Sequence, residues 1–219
     1  MSNQTISLTD ELYDYLLDIS LREEPVLQRL RAETMTLEMA NMQIAPEQGQ
    51  FMALLLQLTG ARRYLEVGTF TGYSALAAAL AMTEDAEVHA LDLSEEWTAI
   101  AQQYWREAGV AGRVHLHLAP AADTLAAMLP DQAGSFDAAF IDADKTGYQH
   151  YIEAVHQLLR EGGLLMIDNV LWGGSVIDAS DDTEDTTAIR EVNRALVADE
   201  RWDLSVVPIG DGLTLARKR

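Results

Sequence analysis

The chain has 219 residues, 48% of them hydrophobic, with no cysteine and with 15 Lys and Arg against 35 Asp and Glu, a formal charge of -20. Without cysteine there are no disulfides, thiolate zinc sites or cysteine nucleophiles, and the negative charge repels phosphate backbones at long range, so nucleic acid is not an expected partner. The size suits one domain over residues 1–219 with a full core, and the lack of a basic-then-apolar leader or of an apolar run near the roughly 20 residues of a membrane helix predicts a cytoplasmic protein with no membrane association.

The first 60 residues read as helices. Thr9 suits the cap of a helix carrying Leu12, Leu16 and Ile19, and Pro25 the first turn of a second helix carrying Val26, Leu30 and Leu37. A third helix starts near Pro46, presents Phe51, Leu55 and Leu58 as a stripe and stops at Gly60. The apolar stripes of this cap segment offer a surface for pairing across a two-fold axis. Met39 to Ala45 is a mixed segment able to lie over a pocket, with Met42 and Ile44 as lining residues or as ordinary core.

From residue 61 strand and helix patterns alternate. Strands are expected at Tyr64 to Val67, Ala86 to Leu91, Val114 to Leu118, and in the runs that end at Asp142 and Asp168. Helices are expected at Ser74 to Met82, Ser94 to Ala108, Ala122 to Leu129, Tyr148 to Leu159 and about Thr187 to Ala198. This alternation means βαβ units and a doubly wound, mostly parallel α/β sheet. Leu204 to Pro208 and Leu213 to Arg217 flank Gly210-Asp211-Gly212 and add an antiparallel C-terminal hairpin, for seven strands in all. The acidic run Asp178 to Asp185 reads as a solvated loop.

Two stretches carry the chemistry. Phe140-Ile141-Asp142-Ala143-Asp144-Lys145 and Ile167-Asp168-Asn169 each end an apolar run in polar groups, the pattern of buried strands delivering ligands to the carboxyl edge of a sheet. Two carboxylates and an amide make a candidate site for a hard divalent cation. Glu66-Val67-Gly68-Thr69-Phe70-Thr71-Gly72-Tyr73-Ser74 is a glycine-containing turn between strand and helix whose backbone N–H groups are expected to face a ligand. Phe70 stands where a dinucleotide fingerprint needs its second glycine, so the ligand carries no phosphate there, and Asp92 after the next strand is placed for ribose hydroxyls.

These three blocks, with Val170-Leu171-Trp172, resemble the signatures of cation-dependent class I O-methyltransferases, the caffeoyl-CoA and catechol O-methyltransferases and their bacterial relatives. The resemblance extends from about Ala40 to Lys218 and includes Pro46-Glu47-Gln48-Gly49-Gln50 and Ile209-Gly210-Asp211-Gly212-Leu213. It implies a Rossmann-like fold and S-adenosylmethionine as cofactor, with Ile44, Glu66, Gly68, Thr69, Ser74, Asp92, Ala121 and Asp144 on the cofactor side. It further implies Asp142, Asp168 and Asn169 as ligands of a divalent cation (Mg²⁺, with Mn²⁺ or Ca²⁺ as alternatives), Lys145 as general base, Met42 and Trp172 beside the substrate, and a homodimer. Gly173 departs from the pattern, standing where plant members carry a substrate-touching asparagine.

The chemistry is coherent on its own terms. A neutral hydroxyl is a poor nucleophile toward a sulfonium methyl group, and a cation with an adjacent lysine removes that obstacle. A small aromatic acceptor with vicinal hydroxyls, catechol-like or caffeoyl-CoA-like, fits an incompletely liganded cation best. The alternatives are a tRNA hydroxyl, which a bacterial branch of the same family methylates, and a nicotinamide-dependent oxidation, which Phe70 argues against. His115 and His117 share one strand face, but with no third ligand evident ordinary hydrogen bonding is expected of them; His150 reads as a surface helix position. Trp172 is a substrate wall or a loop-packing residue.

Overall fold

The seven apolar runs become strands of one sheet in the computed structural model, which describes residues 3–219. They are β1 (Arg63–Val67), β2 (Glu87–Asp92), β3 (Val114–Leu118), β4 (Phe136–Ile141), β5 (Leu159–Ile167), β6 (Trp202–Val207) and β7 (Leu213–Lys218), in the spatial order β3-β2-β1-β4-β5-β7-β6. The first five pair in parallel, and β7 runs antiparallel between β5 and β6. The order reverses between β1 and β4, where the connections leave for opposite faces and open a crevice at the carboxyl ends of the strands.

Eight α-helices are found among the described residues: α1 (Asp10–Ser20), α2 (Pro25–Thr34), α3 (Pro46–Thr59), α4 (Tyr73–Ala81), α5 (Glu95–Glu107), α6 (Ala121–Gln132), α7 (Tyr148–Leu158) and α8 (Glu184–Ala198). Because side chains alternate along a strand, Tyr64, Phe140 and Met166 pack with α2 to α5, while Leu65, Val67, Ile141 and Ile167 pack with α6 to α8. None of the helices is long and apolar enough to cross a membrane.

Local signals behave as their chemistry dictates. Thr9 accepts a hydrogen bond from the Leu12 N–H and Ser94 one from the Trp97 N–H, capping α1 and α5. The cap segment departs from its expected pattern. Leu37 lies beyond α2, and α3 buries Gln48, Gly49, Met52 and Leu56, leaving Leu58 largely exposed. The buried face is rotated about one position from the expected stripe, with Met52 and Leu56 in the core and the polar Gln48 inward beside Asp168. On α1, Leu12 and Leu16 are half-buried and Ile19 is exposed. The cap is nonetheless fastened to the sheet by a buried pair of hydroxyls, Thr34 and Thr71, at 2.8 Å, and by Tyr73, whose hydroxyl donates to Glu23 at 2.6 Å.

Candidate active site

A cavity of about 980 Å³ opens at the crevice between β1 and β4, a size suited to a small-molecule ligand. Its lining includes Met42, Ile44, Gly68, Thr69, Ser74, Asp92, Ala121, Asp142, Asp144, Lys145, Asp168, Asn169 and Trp172, so every site residue expected from the sequence except the fully buried Glu66 reaches one space.

The polar end is built by register. Ile141 and Ile167 are partners across β4 and β5, so the residues that follow them, Asp142 and Asp168, leave the sheet side by side. Asn169 takes a positive φ of 57°, which an amide side chain tolerates, and thereby turns its Oδ1 back toward the same point. Lys145, three residues after Asp142, is buried and donates from Nζ to Asp142 Oδ1 at 3.0 Å, Asn169 Oδ1 at 2.7 Å and the Tyr148 hydroxyl at 2.7 Å. Its Nζ also lies 5.5 Å from the centre of the Trp172 ring. Burial first, and then the neighbouring Asp142 charge, raise the Asp168 carboxyl to about 7, against hydrogen bonds from Gln48 and the Asn169 N–H that favour its ionised form. Two crowded carboxylates and an amide oxygen form a hard-oxygen donor set that gains by sharing a cation.

The other end is the turn after β1. Gly68 has φ +88°, and a Cβ there would meet the Asp142 carbonyl oxygen at 1.9 Å, so only glycine lets β1 pass this close to β4. The expectation that the turn's N–H groups face a ligand is corrected for Gly68, Thr69 and Phe70. The Thr69 and Phe70 N–H groups donate to Asp92 Oδ2 at 2.9 and 2.7 Å, and the Gly68 N–H to the Leu91 carbonyl. Asp92 therefore braces the turn as well as lining the cavity, with its other oxygen taking the Ser94 N–H at 2.8 Å. Beneath the turn, Glu66 accepts from the Tyr64 hydroxyl at 3.1 Å, while its Oε1 is buried without a partner. Burial, then Asp142, push the Glu66 carboxyl up to about 8.

Among the described residues, the non-glycines with positive φ are Phe70, Asn169 and Trp172, and all three line this cavity. Backbone strain concentrates at sites that need a particular geometry. Several contacts around the site have no counterpart in the sequence reading. Gln48 donates to Asp168 Oδ2 at 2.7 Å, Tyr151 donates to Asp144 Oδ1 at 2.6 Å, Tyr148 meets Lys145, and Phe70 stacks edge-on with Trp97 at 4.9 Å. Tyr148, three positions after Lys145, was accessible from helical spacing; Gln48 offers no local signal. His150 is exposed on α7 and does not line the cavity.

The family model described as O-methyltransferase matches residues 17–219. The chain is 38% identical to caffeoyl-CoA O-methyltransferase 2 of Zea mays, covering 100% of this chain and 86% of that protein. Among solved structures it is similar to an O-methyltransferase from Bacillus cereus in complex with SAH, with TM-score 0.84, 29% identity and coverage of 94% and 96%. It is likewise similar to the O-methyltransferase TomG from Streptomyces achromogenes in complex with SAM, with TM-score 0.86, 27% identity and coverage of 95% and 96%.

Proposed function

The chain belongs to the O-methyltransferase family and is an S-adenosylmethionine-dependent O-methyltransferase, and on that premise we propose that it methylates one hydroxyl of a small catechol-like or caffeoyl-CoA-like acceptor with the help of a divalent cation. The observation that carries this reading is the convergence of Asp142, Asp168, Asn169 and Lys145 on one end of a cavity whose other end is the turn braced by Asp92. S-adenosylmethionine would be held by Gly68, Thr69, Ser74, Asp92, Ala121 and Asp144, with Ile44 packing against it and the buried Glu66 acting from beneath the turn, and would supply a methyl group on a sulfonium. A divalent cation, Mg²⁺ before Mn²⁺ or Ca²⁺, would be held by Asp142, Asp168 and Asn169 and would supply Lewis-acid stabilisation of the acceptor oxyanion.

Lys145 takes the acceptor's proton or balances the charge that its loss leaves. S-adenosylmethionine, when bound, would supply the methyl group for the acceptor oxygen and would keep the S–C electron pair on its sulfur. Tyr148 fixes the lysine from behind, its hydroxyl reaching the Asp168 carbonyl at 3.3 Å. Met42 and Trp172 flank the space left for an aromatic ring. A homodimer fits the exposed Ile19, Leu54 and Leu58 on α1 and α3; a monomer by light scattering at micromolar concentration would refute it.

The decisive assay measures methyl transfer to a catechol, to a catechol-bearing CoA ester and to tRNA, with and without chelator. Turnover of a small acceptor that stops on chelation and returns with Mg²⁺ is expected. Chelator-resistant turnover, or methylation of tRNA alone, would overturn the reading.

A further inference from the structure

Away from the cavity, toward the amino ends of β2 and β3, four side chains suited to a transition cation meet: Glu87 and His89 on β2, His115 and His117 on β3. His89 is register partner of both Leu65 and His115, which places the group on the α6 to α8 side of the sheet. None of the four lines the cavity. One ligand atom each from Glu87, His89 and His115 lies within 4.8 Å of the others.

The arrangement of His89 is the telling feature. Its ring is packed edge-on against Phe136 and is only 8% exposed, and its Nδ1 lies 3.2 Å from His117 Nε2. When Nδ1–H donates to His117, the lone pair stays on Nε2. That atom is buried, has no hydrogen-bond partner and stands 3.8 Å from Glu87 Oε2. An orphaned buried nitrogen costs free energy that an ion would return. A neighbouring acceptor that fixes the tautomer is also the usual support of a metal-binding imidazole.

We propose that Glu87, His89 and His115 form a site for a divalent transition cation, Zn²⁺ by its preference for imidazole and carboxylate donors, which clamps edge strand β3 to β2. Bond lengths of about 2.0–2.2 Å require the donors to close in slightly from their present spacing. The Glu87 side chain is 48% exposed and His115 is exposed, so both have room to move. Arg63, whose Nε lies 3.3 Å from Glu87 Oε2, shares that carboxylate with the ion. A water completes the four-coordinate shell usual for three protein ligands.

The test titrates Zn²⁺ calorimetrically into chelator-treated protein in excess Mg²⁺, comparing wild type, His115→Ala, Glu87→Gln and Asp168→Ala. The two strand variants alter exposed side chains and keep the fold, as circular dichroism would verify. Wild type and Asp168→Ala are expected to bind a Zn²⁺ that His115→Ala and Glu87→Gln bind at least about tenfold more weakly. In ¹⁵N-histidine spectra the same ion shifts the ring nitrogens of His89 and His115. Equal Zn²⁺ stoichiometry and affinity in wild type and His115→Ala overturns the site, as does a loss confined to Asp168→Ala, which would assign the ion to the cavity carboxylates.

Discussion

Gln48 Nε2 donates a 2.7 Å hydrogen bond to Oδ2 of Asp168, a residue 120 positions later in the chain. The bond joins the first turn of α3 to the end of β5, and Gly210 leaves room for it, since a Cβ there would come within 2.3 Å of Gln48 Oε1. Because it favours the ionised carboxylate, Gln48→Ala should raise the Asp168 carboxyl further above about 7. Mg²⁺ affinity at neutral pH should then fall roughly 10- to 100-fold, as for other outer partners of ligands, and recover as pH rises. Calorimetric titration of Mg²⁺ at pH 7 and 9 checks both; unchanged affinity would reduce Gln48 to packing.

Lys145 holds two of the three oxygens assigned to the cation, Asp142 Oδ1 and Asn169 Oδ1. Its removal should therefore act in two directions. Lys145→Ala should lower kcat by roughly 10²- to 10⁴-fold with little change in acceptor KM, and regain part of the rate at high pH where hydroxide takes the proton. The same variant should bind Mg²⁺ more tightly, since a competing positive charge is gone. Wild-type kcat at neutral pH would remove Lys145 from the chemistry.

Glu66 is an acid whose folded pKa, about 8, lies above its ordinary 4.5. The native state holds the extra proton between these values, so this residue costs the protein stability progressively as pH rises from 4.5 to 8. The full penalty is on the order of a few kcal/mol for so buried a group. Glu66→Gln should be close to neutral near pH 4.5 and stabilising in the cofactor-free protein above pH 8, measured by denaturant unfolding. A stability difference independent of pH would contradict the assignment.

Asp137 anchors the start of β1. Its Oδ2 accepts from the Arg62 and Arg63 N–H groups at 2.8 and 2.9 Å and its Oδ1 from Arg160 Nε at 2.7 Å, bonds that hold its carboxyl below the usual range in spite of burial. Asp137→Ala should destabilise the fold by about 1–3 kcal/mol. Asp137→Asn should cost less, because one amide oxygen still serves the two backbone donors. Equal stability of Asp137→Ala and wild type would show that water replaces these bonds.

The sheet and most of the cavity were legible in the sequence because their signals are local. An apolar run that stops at Asp142 or Asp168 carries its own direction, and in a parallel sheet the ends of such runs converge wherever they lie along the chain. The bracing of the turn by Asp92 was not legible, since a carboxylate suited to a ribose is equally suited to two N–H groups, and only the register of β1 and β2 decides between them. Gln48 was hidden for the opposite reason: its position on α3 looks like a solvent-facing polar residue until the helix is set against β5. The histidines of β3 could be grouped by alternation, but their partners on β2 come from pairing that no single segment encodes.

The Thr34 and Thr71 hydroxyls are fully buried and bonded to each other, with Thr34 donating onward to the Leu30 carbonyl, so Thr71 must be the donor within the pair. Peeling α2 away would exchange this buried bond for one to water, a net loss of about 0.5–1.5 kcal/mol. Order in the turn and docking of the helix are thus one cooperative unit with respect to local opening. A ligand that settles on Gly68 to Gly72 would therefore slow amide hydrogen exchange in α2, a helix that contributes nothing to the cavity wall.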